Sequence, residues 1–251
     1  MQVSLQSGVE LEVERLGPTK GVPLVVVHGY TGGLHEWRPL AERWSATRPV
    51  VLFHLRGHGR STGCERVEDY AMPTLARDLV ALLDALGLDR VDVLGHSLGG
   101  MIALRFAVDF PERLRALVLV ATSARRRELD PPRPTWRRLL SRARKQMGLA
   151  RKPLPRPTHV HPVALHAMLR AIADQPETVH ALASLRAPSL VVVGRRDHAF
   201  LASCEELAER LPDVAFAKLH EVGHTPLLEV PDVLTHLVDT HLREVDAVAP
   251  R

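Results

Sequence analysis

Short apolar runs recur along the chain at intervals that leave room for a helix between one run and the next. They are rich in Val and Leu and show little alternation of polar and apolar positions, which is typical of parallel strands buried on both faces of a sheet. The runs are Leu24–Val27, Val50–Phe53, Val91–Leu94, Leu117–Val120, Leu190–Val193 and Val214–Leu219. The pattern predicts an α/β protein with a mostly parallel, twisted sheet flanked by helices.

The N-terminal residues follow a different pattern. Gln2–Leu5 and Val9–Arg15 alternate polar and apolar residues on either side of Ser7-Gly8. Such alternation around a short turn predicts a β-hairpin. With these two strands the sheet has about eight strands in all.

Several of the segments between the apolar runs have helical periodicity. Met72–Leu86 places five leucines on one face, and Gly87 provides a stop signal. Gly100–Phe110 and Pro231–Val245 are further predicted helices. A helix between successive strands is the connection that a parallel sheet requires.

The regular succession of strand-like runs is interrupted once, between Ser123 and Pro188, where no such run occurs. This stretch is too long for one crossover loop. It predicts an inserted helical lid (cap) over residues 124–188, with Thr135–Met147 and Val163–Ala173 as its helices. The core domain then consists of the remaining residues, 1–123 and 189–251.

Charge is concentrated in the same insertion. Twelve Lys/Arg and two acidic residues lie between Ala124 and Val160, so this segment carries +10 while the whole chain carries +4. No nucleic-acid motif accompanies the charge, which favours a solvated helical face. Arginines facing inward would instead favour anionic substrates.

Composition excludes several other classes of protein. No apolar run approaches the roughly 20 residues of a membrane span, and Met1–Gly17 lacks the layout of a signal peptide. We therefore expect a cytoplasmic protein without an integral membrane segment. Cys64, Cys204 and the 14 histidines match no metal-ligand spacing, so no metal or cofactor is expected. A homodimer stays possible.

The strongest chemical signal is Gly95-His96-Ser97-Leu98-Gly99, which lies between the run Val91–Leu94 and the predicted helix Gly100–Phe110. A G-x-S-x-G motif between a strand and a helix forms a sharp turn that exposes the serine hydroxyl. The glycines are needed because larger residues would collide with the backbone there. Ser97 is thus a candidate nucleophile.

A serine hydroxyl needs a base, and the base needs a carboxylate to orient it. Asp197 follows the run Leu190–Val193, and His224 follows Val214–Leu219, so both lie at carboxyl ends of strands, where α/β sheets carry their sites. Ser97, Asp197 and His224 are the predicted catalytic triad. Rival residues begin or end structural elements: Asp213, Asp232 and His220.

An oxyanion also needs hydrogen-bond donors. The backbone amide of Leu98 follows the nucleophile, and the glycine-rich segment after Leu24–Val27 makes the Tyr30 amide the second expected donor. Further residues are candidates for lining the substrate pocket: His28, Gly29, Thr31, His96, Trp37 and Trp136.

With these motifs in view, the chain resembles the α/β-hydrolase superfamily, in its lid-bearing group of small esterases, lactonases and haloperoxidase-like enzymes. The similar motifs are His28-Gly29, Arg56-Gly57-His58-Gly59, the serine turn, Asp197, Gly223-His224 and Glu229-x-Pro231. The family usually has Asp two residues before the Arg56 turn, where this chain has His54. We expect an altered local hydrogen bond there and retained activity.

The resemblance implies a carboxylesterase that cleaves a small-molecule ester through an acyl-enzyme. Lactonase, thioesterase, perhydrolase and C–C hydrolase activities stay open, as does the lyase chemistry of a relative whose loop is similar to His35-Glu36-Trp37. Serine at position 97 argues against the dehalogenases and epoxide hydrolases of the superfamily, which use aspartate there. A ligand receptor with a vestigial triad and a peripheral lipase are the weaker alternatives.

Overall fold

The computed structural model describes residues 1–125 and 159–248. Eight strands form one sheet in the order β1-β2-β4-β3-β5-β6-β7-β8. Their bounds are β1 Gln2–Ser4, β2 Glu10–Leu16, β3 Leu24–Val27, β4 Val50–Phe53, β5 Val91–His96, β6 Leu114–Val120, β7 Ser189–Gly194 and β8 Val214–Leu219. All eight predicted strands are present, and the hairpin β1–β2 is antiparallel, as expected.

The sheet is parallel from β4 to β8, and β2 pairs antiparallel with β4. The predicted fold class is therefore confirmed as a mixed, mostly parallel sheet with helices on its faces. Strands β3 to β5 are fully buried along their length, which is why their sequences show no alternation.

Helices among the described residues cover both faces of this sheet. They are α1 Leu34–Trp44, α2 Met72–Ala85, α3 Leu98–Asp109, α4 Pro162–Asp174, α5 Leu201–Arg210, α6 Pro226–Glu229 and α7 Pro231–Val248. One apolar core contains residues of α2, α3, α4 and α5, and a second contains residues of α1, α6 and α7. The two cores make a three-layer arrangement.

Helix α4 matches the predicted segment Val163–Ala173 with one further residue at each end. It packs on the core through Ala164 and Met168, and the phenol of Tyr30 donates a hydrogen bond to the Leu165 carbonyl at 2.6 Å. Trp136 and the predicted helix Thr135–Met147 lie outside the described residues. The division into a core and a lid of residues 124–188 therefore stays a prediction.

In the described ranges, none of the helices has both the length and the apolar character needed to cross a bilayer. No group of three or more His, Cys, Asp or Glu side chains in these same ranges is placed to bind a metal ion.

Candidate active site

The turn between β5 and α3 holds Ser97 in a strained backbone conformation. Its φ is 54° and its ψ is −118°, in the left-handed half of the map that disfavours side chains. A Cβ on Gly95 would lie 2.4 Å from the Gly99 carbonyl oxygen, and one on Gly99 would lie 2.1 Å from the Val27 oxygen. Glycine is thus required at both positions for the turn to close.

Thr122, at the end of the neighbouring strand β6, supports the same turn. Its hydroxyl donates a hydrogen bond to the Ser97 carbonyl at 2.7 Å. The methyl and hydroxyl of Thr122 also leave no space for a side chain at position 100, where a Cβ would lie 2.5 Å away. Gly100 therefore lets α3 begin directly beneath the serine.

A second loop, after β8, presents His224. The carboxylate of Glu229 accepts hydrogen bonds from the Gly223 amide at 2.8 Å and from both the amide and the hydroxyl of Thr225 at 3.0 Å. Three bonds from one carboxylate fix the backbone on either side of the histidine. Glu229 of the Glu229-x-Pro231 motif thus supports the loop that carries His224.

The structure brings the three predicted triad side chains into one hydrogen-bonded relay. The Nδ1 of His224 lies 2.7 Å from Asp197 Oδ2, and its Nε2 lies 3.0 Å from Ser97 Oγ. A carboxylate only accepts, so Nδ1 carries the proton and Nε2 is free to accept the serine hydroxyl. Phe200 stacks on the imidazole at a centroid distance of 4.9 Å, which fixes the plane of the ring.

The rival residues lie elsewhere. The side chain of His220 is 78% exposed, and that of Asp232 is 84% exposed and paired with Arg43. Asp213 accepts the Ser189 amide through its backbone carbonyl, at the end of the sheet opposite Ser97. Asp197, by contrast, is 4% exposed and in contact with His224.

His96 lies beneath the relay. Its Nε2 donates a hydrogen bond to the His224 carbonyl at 2.8 Å. Burial, together with the nearby His224 ring, lowers the pKa of His96 to about 3. The ring is therefore neutral at ordinary pH and positions the backbone of His224. Trp37, a predicted pocket residue, is 1% exposed and packs edge-on against His96 at 6.1 Å.

The backbone after β3, Gly29–Gly33, is here called the glycine loop. Among the described residues the Tyr30 amide donates no hydrogen bond to a backbone carbonyl. Leu98 is the first residue of α3, so its amide has no carbonyl acceptor within the helix. The Tyr30 carbonyl accepts a bond from His58 Nε2 at 2.7 Å, which fixes the peptide plane next to the amide. Burial raises the pKa of the Tyr30 phenol to about 12.

His28 supports this loop from below. Its Nε2 accepts the Leu55 amide at 3.0 Å, and its Nδ1 donates to the Gly29 carbonyl at 2.8 Å. Burial holds the pKa of His28 well below its ordinary value, with the nearby His58 adding to the effect. His28 is thus a buried neutral support of the loop.

His54, where the family usually has Asp, uses both ring nitrogens in hydrogen bonds. Its Nδ1 donates to Glu12 Oε2 at 2.9 Å, and its Nε2 accepts the Leu34 amide at 3.2 Å. Burial lowers the pKa of His54, although Glu12 acts in the opposite direction. A neutral histidine therefore accepts the first amide of α1.

Ser97 and His224 open into a cavity of about 370 Å³, a common size for a small-molecule site. Of the described pocket candidates, Gly29, Thr31 and His96 line it, whereas His28 and Trp37 are buried and do not. Seven lining residues were not predicted. Two of them, Gly32 and Thr225, neighbour predicted site residues in the chain, and the other five are Glu36, Ile172, Phe200, Leu227 and Leu228. They come from helices, or from the turn before one, whose approach to the serine no local motif signals.

A mostly parallel sheet with a serine turn after β5 and supporting loops after β3, β7 and β8 is the arrangement of the α/β-hydrolase fold. A family model for this fold matches residues 22–165, which is more than half of the chain. The chain therefore belongs to the α/β-hydrolase family.

Individual relatives have hydrolase names of several kinds. A thermophilic esterase from Thermogutta terrifontis is 27% identical and superposes with a TM-score of 0.82 over 98% of both chains. Est816, described as degrading N-acyl homoserine lactones, is 26% identical with a TM-score of 0.78, covering 96% of this chain and 99% of its own. A putative carbamate hydrolase of Azorhizobium caulinodans is 26% identical over 90% of this chain and 93% of its own. These likenesses support a hydrolase.

Proposed function

We propose that the protein is a carboxylesterase that works through an acyl-enzyme on Ser97. The observation that carries the proposal is the relay from Ser97 through His224 to Asp197, in which Leu98 follows the serine directly and Tyr30 lines the same cavity. Family membership and esterase-named relatives add support.

In this mechanism His224 Nε2 takes the proton of the Ser97 hydroxyl as its oxygen attacks the ester carbonyl. The amides of Tyr30 and Leu98 donate to the oxyanion, and Asp197 stabilises the imidazolium. His224 then returns the proton to the leaving alcohol. A water molecule, deprotonated by the same ring, attacks the acyl-enzyme and releases the acid.

The test is hydrolysis of short p-nitrophenyl esters, with fluorophosphonate labelling followed by mass spectrometry. We expect Ser97→Ala to lower kcat by roughly four to six orders of magnitude and to abolish labelling. Ser189→Ala is the matched control, because it removes another buried serine hydroxyl at the opposite end of the sheet. Near-normal ester turnover by Ser97→Ala would refute the proposal.

A lactone is a cyclic ester, and the 26% identical likeness to Est816 over nearly the full length favours lactone hydrolysis as the second candidate. The same relay would open the ring without releasing a separate alcohol. An N-acyl homoserine lactone compared with an ethyl ester of the same acyl chain discriminates the two. A kcat/KM at least tenfold higher for the lactone would make lactonase the better description.

A further inference from the structure

One acidic side chain lies in the wall of the cavity that contains the serine. Glu36, in the first turn of α1, lines this cavity beside the glycine loop. Its Oε2 accepts the Gly33 amide at 3.3 Å, and a Cβ on Gly32 would lie 2.6 Å from the same oxygen. The carboxylate is thus held against the loop that carries the Tyr30 amide.

The charge of Glu36 has no balancing cation among the residues that the structure describes. Burial raises its pKa, the Gly33 amide lowers it, and no basic side chain contributes. The described part of the cavity wall contains no Lys or Arg. His96, with its pKa near 3, is neutral as well. When it is ionised, Glu36 therefore faces the cavity without a neighbouring cation among the described residues.

Such a charge affects the reaction, because the oxyanion forms beside the same loop. Two negative charges in a partly buried site repel, which raises the free energy of the tetrahedral intermediate. A positive charge on the substrate, held against the carboxylate, would cancel this effect. An ammonium group also supplies N–H donors that a carboxylate can accept.

The rest of the cavity wall fits the chain that would join such an ammonium to the ester. Ile172, Phe200, Leu227 and Leu228 present apolar surface opposite the polar loop. Apolar walls with a few placed polar groups are the usual make-up of a small-molecule site. An alkyl chain on these residues would leave its charged end for Glu36.

We propose that Glu36 selects the charge of the substrate: it binds an ammonium group, so that the enzyme prefers amine-bearing esters and discriminates against carboxylated ones. This inference rests on the proposed esterase function. The preference for cationic substrates that it predicts is opposite to the preference for anions that inward-facing arginines of residues 124–160 would give.

The test compares three ethyl esters of matched acyl length: ethyl heptanoate, ethyl 6-aminohexanoate and monoethyl adipate. At pH 8 the second is cationic and the third anionic. We expect kcat/KM of the wild type to be at least about tenfold higher for the amine than for the carboxylate. Glu36→Gln, which keeps an acceptor for the Gly33 amide, should bring that ratio close to one.

The control is Glu42→Gln, the same substitution at an exposed position of the same helix, which should leave the ratio unchanged. The inference is overturned if Glu36→Gln lowers all three rates equally, as expected when Glu36 only supports the glycine loop. It is also overturned if the ratio stays at its wild-type value.

A readout independent of turnover separates this inference from the proposed function. Hexylammonium should slow fluorophosphonate labelling of wild-type Ser97 more than hexanoate does, and Glu36→Gln should remove the difference. Labelling without hydrolysis of any ester would overturn the esterase proposal, while the protection experiment would still decide the role of Glu36. Equal protection by both compounds in the wild type would reject that role.

Discussion

At the scale of single residues, the geometry of the serine turn depends on positions where any side chain would collide with the backbone. Gly99 is the tightest of these, because α3 passes against the carbonyl groups of Val27 and His28 at the end of β3. Leu98, whose amide is the expected oxyanion donor, lies between this glycine and Ser97 in the same turn.

Gly99→Ala should prevent correct folding, because the added methyl would lie 2.1 Å from the Val27 carbonyl oxygen and strand β3 is buried on both sides. Gly8→Ala is the control: Gly8 has a φ of 79° but no atom within 4 Å of an added Cβ. We expect that control to cost only about 1–2 kcal/mol. The soluble yield and the free energy of unfolding in urea are measured for the two variants. A soluble Gly99→Ala protein with control-like stability would contradict the steric argument.

The triad residues were predictable because each follows an apolar run that itself identifies the strand. Ser97, Asp197 and His224 all lie just beyond such runs, and the structure places them in contact. The sequence did not predict Glu36 as a cavity residue, although it lies in the segment His35-Glu36-Trp37 that is similar to the loop of a relative. Its exposure to the cavity depends on how α1 meets the glycine loop, which no local pattern encodes.

At the scale of elements, α1 is the helix that connects the glycine loop to the core. It was not predicted, since Pro39 lies inside it and its start follows two glycines that read as loop. The structure begins the helix at Leu34, whose amide is accepted by the neutral His54. A contact across 20 residues and the local bond from the Gly33 amide to Glu36 therefore define the helix start together.

The contact of His54 with α1 should make stability dependent on pH. Burial lowers the folded pKa of His54 below the value of about 6.5 in the unfolded chain. The unfolded state then binds more protons, so this contribution to stability is present above pH 6.5 and is lost as the pH falls toward the folded pKa. The variant His54→Gln keeps an acceptor for the Leu34 amide but does not titrate. We therefore expect the Tm of the wild type to exceed that of the variant by more at pH 7 than at pH 5.

Thermal unfolding of both proteins at pH 7, 6 and 5 checks this expectation. Two curves of Tm against pH that run parallel would show that His54 titration is not responsible. Ester hydrolysis at pH 8 should be similar in both proteins, since His54 contacts neither Ser97 nor His224 in the described structure.

At the scale of the whole molecule, the two ends of the sheet have different roles, one in catalysis and one in stability. The carboxyl ends of the strands carry the relay and the cavity. The amino ends carry a network of charges that attaches the C-terminal helix α7 to the sheet. Arg115 binds Asp92 through two hydrogen bonds, at 2.8 Å and 2.6 Å, and binds Asp246 of α7 at 2.5 Å. Arg48 also bonds to Asp246, at 3.0 Å.

Removing one partner from the buried part of this network should destabilise the fold without affecting catalysis. Asp92 is 0% exposed, so Asp92→Ala would leave the largely buried Arg115 and Arg48 with only the half-exposed Asp246 as a partner, at a cost of about 3–5 kcal/mol in the free energy of unfolding. Asp246, with a 44% exposed side chain, is the control, and Asp246→Ala should cost no more than about 1 kcal/mol. Urea unfolding measures the loss of stability in each variant. The kcat of each variant at 25 °C should stay close to the wild-type value, because Asp92 and Ser97 lie at opposite ends of β5. Equal destabilisation by the two substitutions would mean that burial does not set the strength of the network.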